Sequence, residues 1–505
     1  MTLVSETQCK VGLFSIGLAA YWPQFEGLES RLTSYGAFVG KKMSSMGVDI
    51  VDVGMVDDQP KARAAGDRFI AEGVDLVVCY VTTYSTSSQV LPAVQQVGRP
   101  VLVLNLQPTA QLEYARTGTG EWLANCQACS IPEISNAFAR CEVDFHVVTG
   151  LLGLSQQPEG ALADEVTDQH PAAIAAWREV EDWLVAVRAK QTLNRSRIGF
   201  LGHTYPGMMD MYSDFTQHTA FFGTHIEVLE MEDVQVRVDA VEDDEIDAVL
   251  RTTESLFEIS HDSDVDPLAK RPTEQEMRWA CRVAAGMDRV VADFDLQGLT
   301  YYYRGWEDNE FERLGSSLIL GCSLLTARGV PCSGEGDLKN CMAMKVMDAF
   351  GAGGSFTELY AMDFTDRIIL MGHDGPFHMD IAHGKPALRG LELFHGKRGG
   401  GVSVEAQVRQ GPITILGLTQ THDGRLVWLC DEGWSVEGER LRIGNTNSRI
   451  RFADEEDGEF DAARWMNRWA EAGPTHHVAL GVGHQAAKLQ KLARLLHMDF
   501  HRIER

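Results

Sequence analysis

From residue 11 the chain alternates short apolar runs with amphipathic stretches: VGLFSI, GLESRLTSYGAFVGKKMSSMG, VDIVDVG, KARAAGDRFIAEG, VDLVVCYV, SQVLPAVQQVG and RPVLVLNL. Short β-branched runs separated by helix-length segments predict a βαβαβ series, hence a parallel sheet with helices on both faces. A polar, loop-like segment, SQQPEGALADEVTDQH, ends this region, and a helix over about 171–190 leads through NRSR into a fresh strand, RIGFLG. A second α/β domain follows, with a helix near 208–222, a strand at HIEVLEM, two long helical patterns between 243 and 289 and a last strand at DRVVADF. Around residue 365 the rhythm changes to short strands set between Gly, Asp and His turns: RIILMG, GVSVEAQVR, PITILGLTQT, RLVWLCDE and SRIRFAD. These predict antiparallel β structure, a small barrel or sandwich. A helix over roughly 484–497, with Leu489, Leu492 and Leu495 on one stripe, closes the chain. The expected fold class is α/β: two doubly wound parallel-sheet domains, 1–192 and 193–364, then an antiparallel β-barrel-like domain, 365–505, with a terminal helix.

The length of 505 residues agrees with three domains. An apolar fraction of 44% and a charged fraction of 23% are those of an ordinary globular chain. A formal net charge of -27, with no clustering of Lys and Arg, excludes nucleic acid and anionic membrane as partners. The opening MTLVSETQCKVGLFSIG has no basic n-region followed by an apolar h-region, and no later stretch has the uncharged length of a membrane span, so a cytoplasmic protein is expected. The ten cysteines are scattered, many inside apolar runs as Cys79 and Cys322 are, which is the pattern of reduced core thiols without disulfides. Cys126 and Cys129 form a CxxC, but a zinc site needs two more ligands and none follows nearby, so the spacing reads as chance. Neither GxGxxG nor GxxxxGK[ST] follows the early strands, so no dinucleotide or P-loop phosphate is indicated.

Ligands of parallel sheets sit beyond the carboxyl ends of strands, which puts Tyr21, Thr82 to Ser85 and Asn105 to Gln107 at a binding edge. The densest chemistry lies in CSGEGDLKNCMAMKVMDAFGAGGSFTELYAMDF, residues 332–364. Its pattern from Leu338 to Phe350 is helical and apolar nearly all round, the mark of a buried helix. Gly334 and Gly336 flank Glu335, Asp337 is placed to cap the helix, and GAGGS stops it before Glu358. Two carboxylates thus bracket one buried helix, and buried acids are costly unless paired, hydrogen-bonded or metal-bound. Capping or salt bridging would suffice for either Glu alone. His373, in IILMGHDG, and His477, in EAGPTHHVALGVGH, also lie on turns beside apolar strands. Two Glu and two His give mixed N/O ligation, which suits Mn²⁺ and related divalent ions. His378, His383 and His395 crowd the same stretch and leave the ligand set open.

GEGD with its following helix, GGSFTE, GH after an apolar strand and the late HH resemble, in identity and order, segments of the L-arabinose isomerase family, with L-fucose isomerases as more distant relatives. The likeness is strong over 330–375 and extends to the rest of the chain in layout. It implies that Glu335, Glu358, His373 and His477 hold a divalent ion, Mn²⁺ or else Co²⁺ or Mg²⁺, with His476 taking the last place in the other register. It also implies a three-domain subunit in a homo-oligomer, hexamer or tetramer, with pockets between subunits. The implied activity is interconversion of an aldose and a ketose of the L-arabinose, L-fucose or D-arabinose type, with Glu335 and Glu358 as catalytic acid and base. Gln127 matches a substrate-contacting Gln, but Ser130 stands where the family has His, and GLAAYWPQF replaces the tyrosine-bearing first loop. Tyr21, Gln24, Gln127, Met208 and Tyr302 on this resemblance, and Gln107 from its place at the binding edge, are the candidate sugar contacts. The departures fall where the sugar is read, which keeps two alternatives open: another metal-dependent carbohydrate enzyme (aldolase, epimerase or glycoside-cleaving), and a non-catalytic sugar-binding protein.

Overall fold

Strand Leu76–Val81, LVVCYV, is buried along its whole length, as a central strand covered on both faces must be. It lies in a five-stranded sheet, all of whose pairings are parallel, with Lys10–Ile16 and Asp49–Val56 on one side and Val101–Gln107 and Phe145–Leu151 on the other. The order 2-1-3-4-5 is that of a doubly wound sheet. The computed structural model describes residues 9–304, 309–392 and 400–503, in two compact units that divide between Gln191 and Thr192. The first unit holds this sheet and a buried ionic cluster. Arg31, on helix Leu28–Ser44, makes two bonds to Glu121, at 2.6 and 3.1 Å, and a further one to Glu165, which also accepts from Tyr35 Oη at 2.6 Å.

The second unit opens with a four-stranded parallel sheet in the order Cys332–Ser333, Gly298–Tyr302, Arg197–Gly202, His225–Leu229. Two readings of this stretch are corrected. DRVVADF is not a strand: Asp288 to Asp293 form the last turns of helix Glu274–Asp293, and the strand comes later, at Gly298–Tyr302. The β-branched pair Val290 and Val291 suggested a strand, but both continue the helix's buried stripe of Met277, Ala280, Cys281, Ala284 and Met287. The helix expected over 208–222 is a short 3₁₀ turn, Met209–Met211, followed by helix Phe215–Phe222, because Asp214 caps the latter by accepting from Gln217 N.

Six antiparallel strands then close into a barrel, running Gly411–Gln420, His477–Val482, Gly353–Asp363, Ile368–Gly372, Ser448–Arg451, Leu426–Ser435 and back to the first. Closure leaves no open edge among them. Strand Gly353–Asp363 belongs to the barrel, so the barrel begins ahead of residue 365. GVSVEAQVR does not join it. Gly400–Glu405 pairs instead with Ala387–Glu392, in a separate sheet that also takes in Glu258–Ile259 and Ala269–Lys270. The terminal helix, Ala486–Leu495, is followed by strand Asp499–Arg502, which adds in parallel to Leu426–Ser435. Helix Ala462–Glu471, unread in the sequence, buries Trp465 and Trp469 in a core that the barrel strands share with helix Glu274–Asp293. No helix of the described residues is long and apolar enough to cross a membrane.

Candidate functional site

Strand register builds the first half of the site. Glu358 stands opposite His477 on one neighbouring strand and opposite Gly372, the residue before His373, on the other. Neighbouring strands lie about 5 Å apart, so one carboxylate and two imidazoles must meet at this end of the barrel. Gly372 is required there, because a Cβ would fall 1.8 Å from Thr446 O. The same threonine pins the following residue, Thr446 Oγ1 accepting from His373 N at 2.8 Å and donating to His373 O at 2.9 Å.

Glu335 comes from the other side, beyond the carboxyl end of the short strand Cys332–Ser333 and before helix Leu338–Ala349. Its φ of 62° is left-handed, a conformation that costs a non-glycine residue free energy and recurs at functional sites. Backbone bonds from Tyr205 N to Glu335 O and from Gly336 N to Tyr301 O, both 2.9 Å, hold it there. Gly336 has φ 69°, and a Cβ on it would lie 2.4 Å from His203 O. The helix itself is buried from Leu338 to Met347, as its apolar circumference predicts.

Asp337 performs two tasks at that helix's start. Its Oδ1 accepts from Asn340 N at 2.9 Å, capping the helix, and its Oδ2 lies 3.0 Å from His477 Nδ1. A proton on Nδ1 satisfies that contact and leaves Nε2 of the fully buried His477 as a lone pair. This Nε2 has no hydrogen-bond partner, nor has the buried Glu335 Oε2, 3.8 Å away. Donor atoms of Glu335, His373 and His477 lie within 4.8 Å of one another, as do those of Glu358, His476 and His477. All four expected ligands are therefore drawn together, and His476 with them. Phe356 packs between two of the rings, its centroid 4.1 Å from that of His373 and 4.4 Å from that of His477.

His476 has a carboxylate of its own. Asp210 Oδ2 accepts from its backbone N at 3.0 Å and meets its Nδ1 at 2.7 Å. Burial opposes charge on both groups, but the hydrogen bonds outweigh it, holding the Asp210 carboxyl well below the usual carboxylate range and raising His476. Lys339 anchors this arm, its Nζ donating to the Asp210 and Tyr212 carbonyls. Glu335, Glu358, His373 and His476 line a cavity of about 550 Å³, together with Met208 and Tyr302. Burial, then the neighbouring Tyr205 and Glu335, push the Tyr302 hydroxyl up from its ordinary pKa.

Residues 213–353 match the L-arabinose isomerase central domain, and residues 353–499 the L-arabinose isomerase C-terminal domain. The chain belongs to the L-arabinose isomerase family. It is an aldose–ketose isomerase, an intramolecular oxidoreductase. The L-arabinose isomerase of Acidothermus cellulolyticus is 22% identical over 448 residues, covering 85% of this chain and 80% of its own length. That of Shewanella baltica is 22% identical over 349 residues, covering 65% and 63%. Among solved structures, a periplasmic solute-binding protein of an ABC transporter from Actinobacillus succinogenes, with bound D-allose, overlaps 65% of this chain and 78% of its own. At 11% identity and a TM-score of 0.17, that overlap carries no argument.

Four of the candidate sugar contacts lie in the first compact unit, and three have side-chain bonds there. Gln24 Nε2 donates to Ala20 O, Gln107 Nε2 to Thr109 O, and Gln127 Nε2 to Thr82 O and Ala124 O. Tyr21 packs edge-on against Phe25. Of the competing histidines, His378 and His383 stand outside both donor groups, and His395 lies outside the described residues. Sequence reasoning missed Asp210, Lys339 and Phe356. Their partners are 266, 129 and 17 or more positions away, and nothing in their local sequence signals those contacts.

Proposed function

We propose that this isomerase converts a neutral aldose of the L-arabinose, L-fucose or D-arabinose type to its ketose, with Glu335, Glu358, His373 and His477 holding a divalent ion and the two carboxylates moving protons. The observation that carries this reading is the pair of buried, unpartnered ligand atoms, Glu335 Oε2 and His477 Nε2, 3.8 Å apart, with Glu335 in the lining of the cavity. Among the described residues, the charged groups within ion-pair distance of Glu335 are imidazoles, with no lysine or arginine. Uncompensated carboxylate in such a place is expensive, and a cation removes the cost. The N/O donor set fits Mn²⁺, with Co²⁺ or Mg²⁺ as substitutes. When bound, such an ion supplies Lewis acidity to the two oxygens of the reacting carbonyl and hydroxyl.

The reaction itself is redox-neutral. C1 gains a hydrogen as C2 loses one, and the O2 proton is replaced by one on O1. One of Glu335 and Glu358 takes the proton from C2 and returns it to C1, while the other relays the proton between the oxygens, work worth about 10² to 10⁴ in rate for a well-placed group. Asp337 keeps His477 in the tautomer that presents Nε2. Phe356 packs against the rings of His373 and His477 and restricts their rotation. Met208 and Tyr302 form part of the wall against which the sugar lies; Tyr21, Gln24 and Gln127 remain in the proposed contact set on the family resemblance, and Gln107 on its place at the carboxyl end of strand Val101–Gln107. That resemblance also supports a cytoplasmic homo-oligomer, hexamer or tetramer, with pockets shared between subunits.

The test is proton NMR of pentoses, hexoses and 6-deoxyhexoses in D₂O, incubated with metal-stripped protein with and without added Mn²⁺. Ketose signals that appear only with Mn²⁺, with deuterium entering at the transferred position, are expected. Ketose formation of equal rate in metal-stripped protein would sink the metal assignment, and silence across the panel with Mn²⁺ bound would sink the choice of sugar class.

A further inference from the structure

Cys126 and Cys129, whose CxxC spacing alone indicated no function, meet in the first compact unit at the start of helix Gln127–Arg140. Cys126 is the N-cap and is 2% exposed, whereas Cys129 lies in the first turn and is exposed. Cys126 Sγ donates to Cys129 Sγ across 2.7 Å, within about 1 Å of the length of an S–S bond. Cys322 and Cys332 also meet, but both are buried, out of an oxidant's reach. Cys141, at the far end of the same helix, is the other exposed thiol.

Helix capping does not account for the pair. An N-cap favours Ser, Thr, Asp or Asn, and Cys126 makes no side-chain cap bond. The turn is short of a further bond, since Pro132 has no N–H to give the Ala128 carbonyl. Side chains hold this end of the helix instead, and they tie it to the loop beyond the central strand Leu76–Val81. Gln127 Nε2 donates to Thr82 O at 2.8 Å, Ser85 N to Ser130 Oγ at 2.9 Å and Ser87 N to Glu133 Oε1 at 2.8 Å. That loop forms part of the edge at which parallel sheets take their ligands. A covalent link between Cys126 and Cys129 would close the weak turn and stiffen the loop with it.

We propose that Cys126 and Cys129 form a reversible thiol–disulfide site, oxidised by low-molecular-weight disulfides, that couples the surrounding redox state to this binding edge. The exposed Cys129 reacts first. Its thiolate attacks one sulfur of the small disulfide, R–S–S–R, forming a mixed disulfide on Cys129 and expelling one RS⁻. Cys126 then gives its proton to solvent and attacks Cys129 Sγ, so that the Cys126–Cys129 bond forms, the Cys129–SR bond breaks and the second RS⁻ leaves. The protein loses two electrons and two protons, and the small disulfide becomes two thiols. Burial, then the bond to Cys129, push the Cys126 thiol up from its ordinary pKa, and the second cause disappears once Cys129 carries SR. Cys126 is thus the resolving sulfur of the pair.

The site does not depend on the isomerase reading, and its test needs no turnover. Full-length protein is incubated with glutathione disulfide and glutathione in varied ratio, its free thiols are alkylated, and the tryptic peptides are measured by mass spectrometry. Residues 117–140 form one such peptide, whose cysteines are Cys126 and Cys129. It should turn up unalkylated and lighter by two hydrogens, at a ratio about tenfold or more below the one that puts glutathione on Cys141, because its second exchange is intramolecular. Dithiothreitol should reverse the change. Cys126→Ser should stop at glutathione bound to Cys129, and Cys129→Ser should leave Cys126 a free thiol. In the bridged wild type, amide hydrogen exchange over residues 82–87 should slow by about tenfold. Two alkylated cysteines even in glutathione disulfide alone overturn the site, glutathione on Cys126 of Cys129→Ser overturns the order of attack, and a bridge that leaves the exchange unchanged overturns the coupling. Should a serine variant fail to fold, the wild-type peptide and its Cys141 reference decide.

Discussion

Two buried ionic clusters solve the same problem in opposite ways. In the first compact unit, Arg31 stands between Glu121 and Glu165, Tyr35 donates to Glu165, and every charge is answered by another part of the protein. Burial works against the charge on Arg31, yet its bonds to the acids keep its pKa above the ordinary value, and the same bonds hold Glu121 below its own. In the second unit, Glu335 Oε2 and His477 Nε2 face one another unanswered. A closed cluster is structural, since every charge in it already has its partner. An open one, with ligand atoms converging on a cavity, is arranged for a group that comes from outside.

The comparison breaks most visibly at Glu335. Glu335→Gln should lower turnover by roughly 10⁴ while leaving the Tm of the metal-stripped protein unchanged or higher, because an unpaired buried carboxylate is removed. Near-wild-type ketose formation by this variant would end the catalytic assignment. Glu165→Gln should do the reverse, costing about 3–5 kcal/mol of stability in a denaturant melt as Arg31 loses a buried partner, with Mn²⁺ affinity kept. If Glu165→Gln instead weakened Mn²⁺ binding and spared stability, the distinction between closed and open clusters would be wrong.

His218 shows a third solution, in which a buried group gives up its charge. Burial, aided by Lys339, lowers its pKa to about 4 from 6.5. Between those two values the unfolded chain binds a proton that the folded one does not, so stability falls as pH drops from 6.5 toward 4, by at most about 3 kcal/mol. Thermal melts across that window should show His218→Phe losing less Tm than wild type; equal losses would remove His218 as a cause. The smallest effect is expected at Asp337. Asp337→Asn keeps a good helix cap but loses the charge that orients His477, and Mn²⁺ affinity measured by calorimetry should fall about 10- to 100-fold. An unaltered affinity would show that His477 is held by packing alone.

Much of this was visible in the sequence. Glu335 and Glu358 stood out because both bracket a helix apolar on all sides, and His373 and His477 because each ends or begins an apolar strand at a turn. The signal was weaker where one short run suited two structures. Val290 and Val291 favour a strand by residue type but complete a helix stripe, and GVSVEAQVR alternates like a barrel strand yet pairs with Ala387–Glu392.

The alternation of apolar and polar positions determined the element types, the parallel sheets and the β-rich end, because burial of one face imposes its period on the chain wherever it folds. Residue type determined which side chains could hold a cation. Only the tertiary structure decided that they meet. The pairing of Glu358 with His477 and with Gly372, and the left-handed turn at Glu335, depend on which strands become neighbours and in what register. Register is settled by closure of the barrel and by packing over more than 100 intervening residues, to which no local period responds.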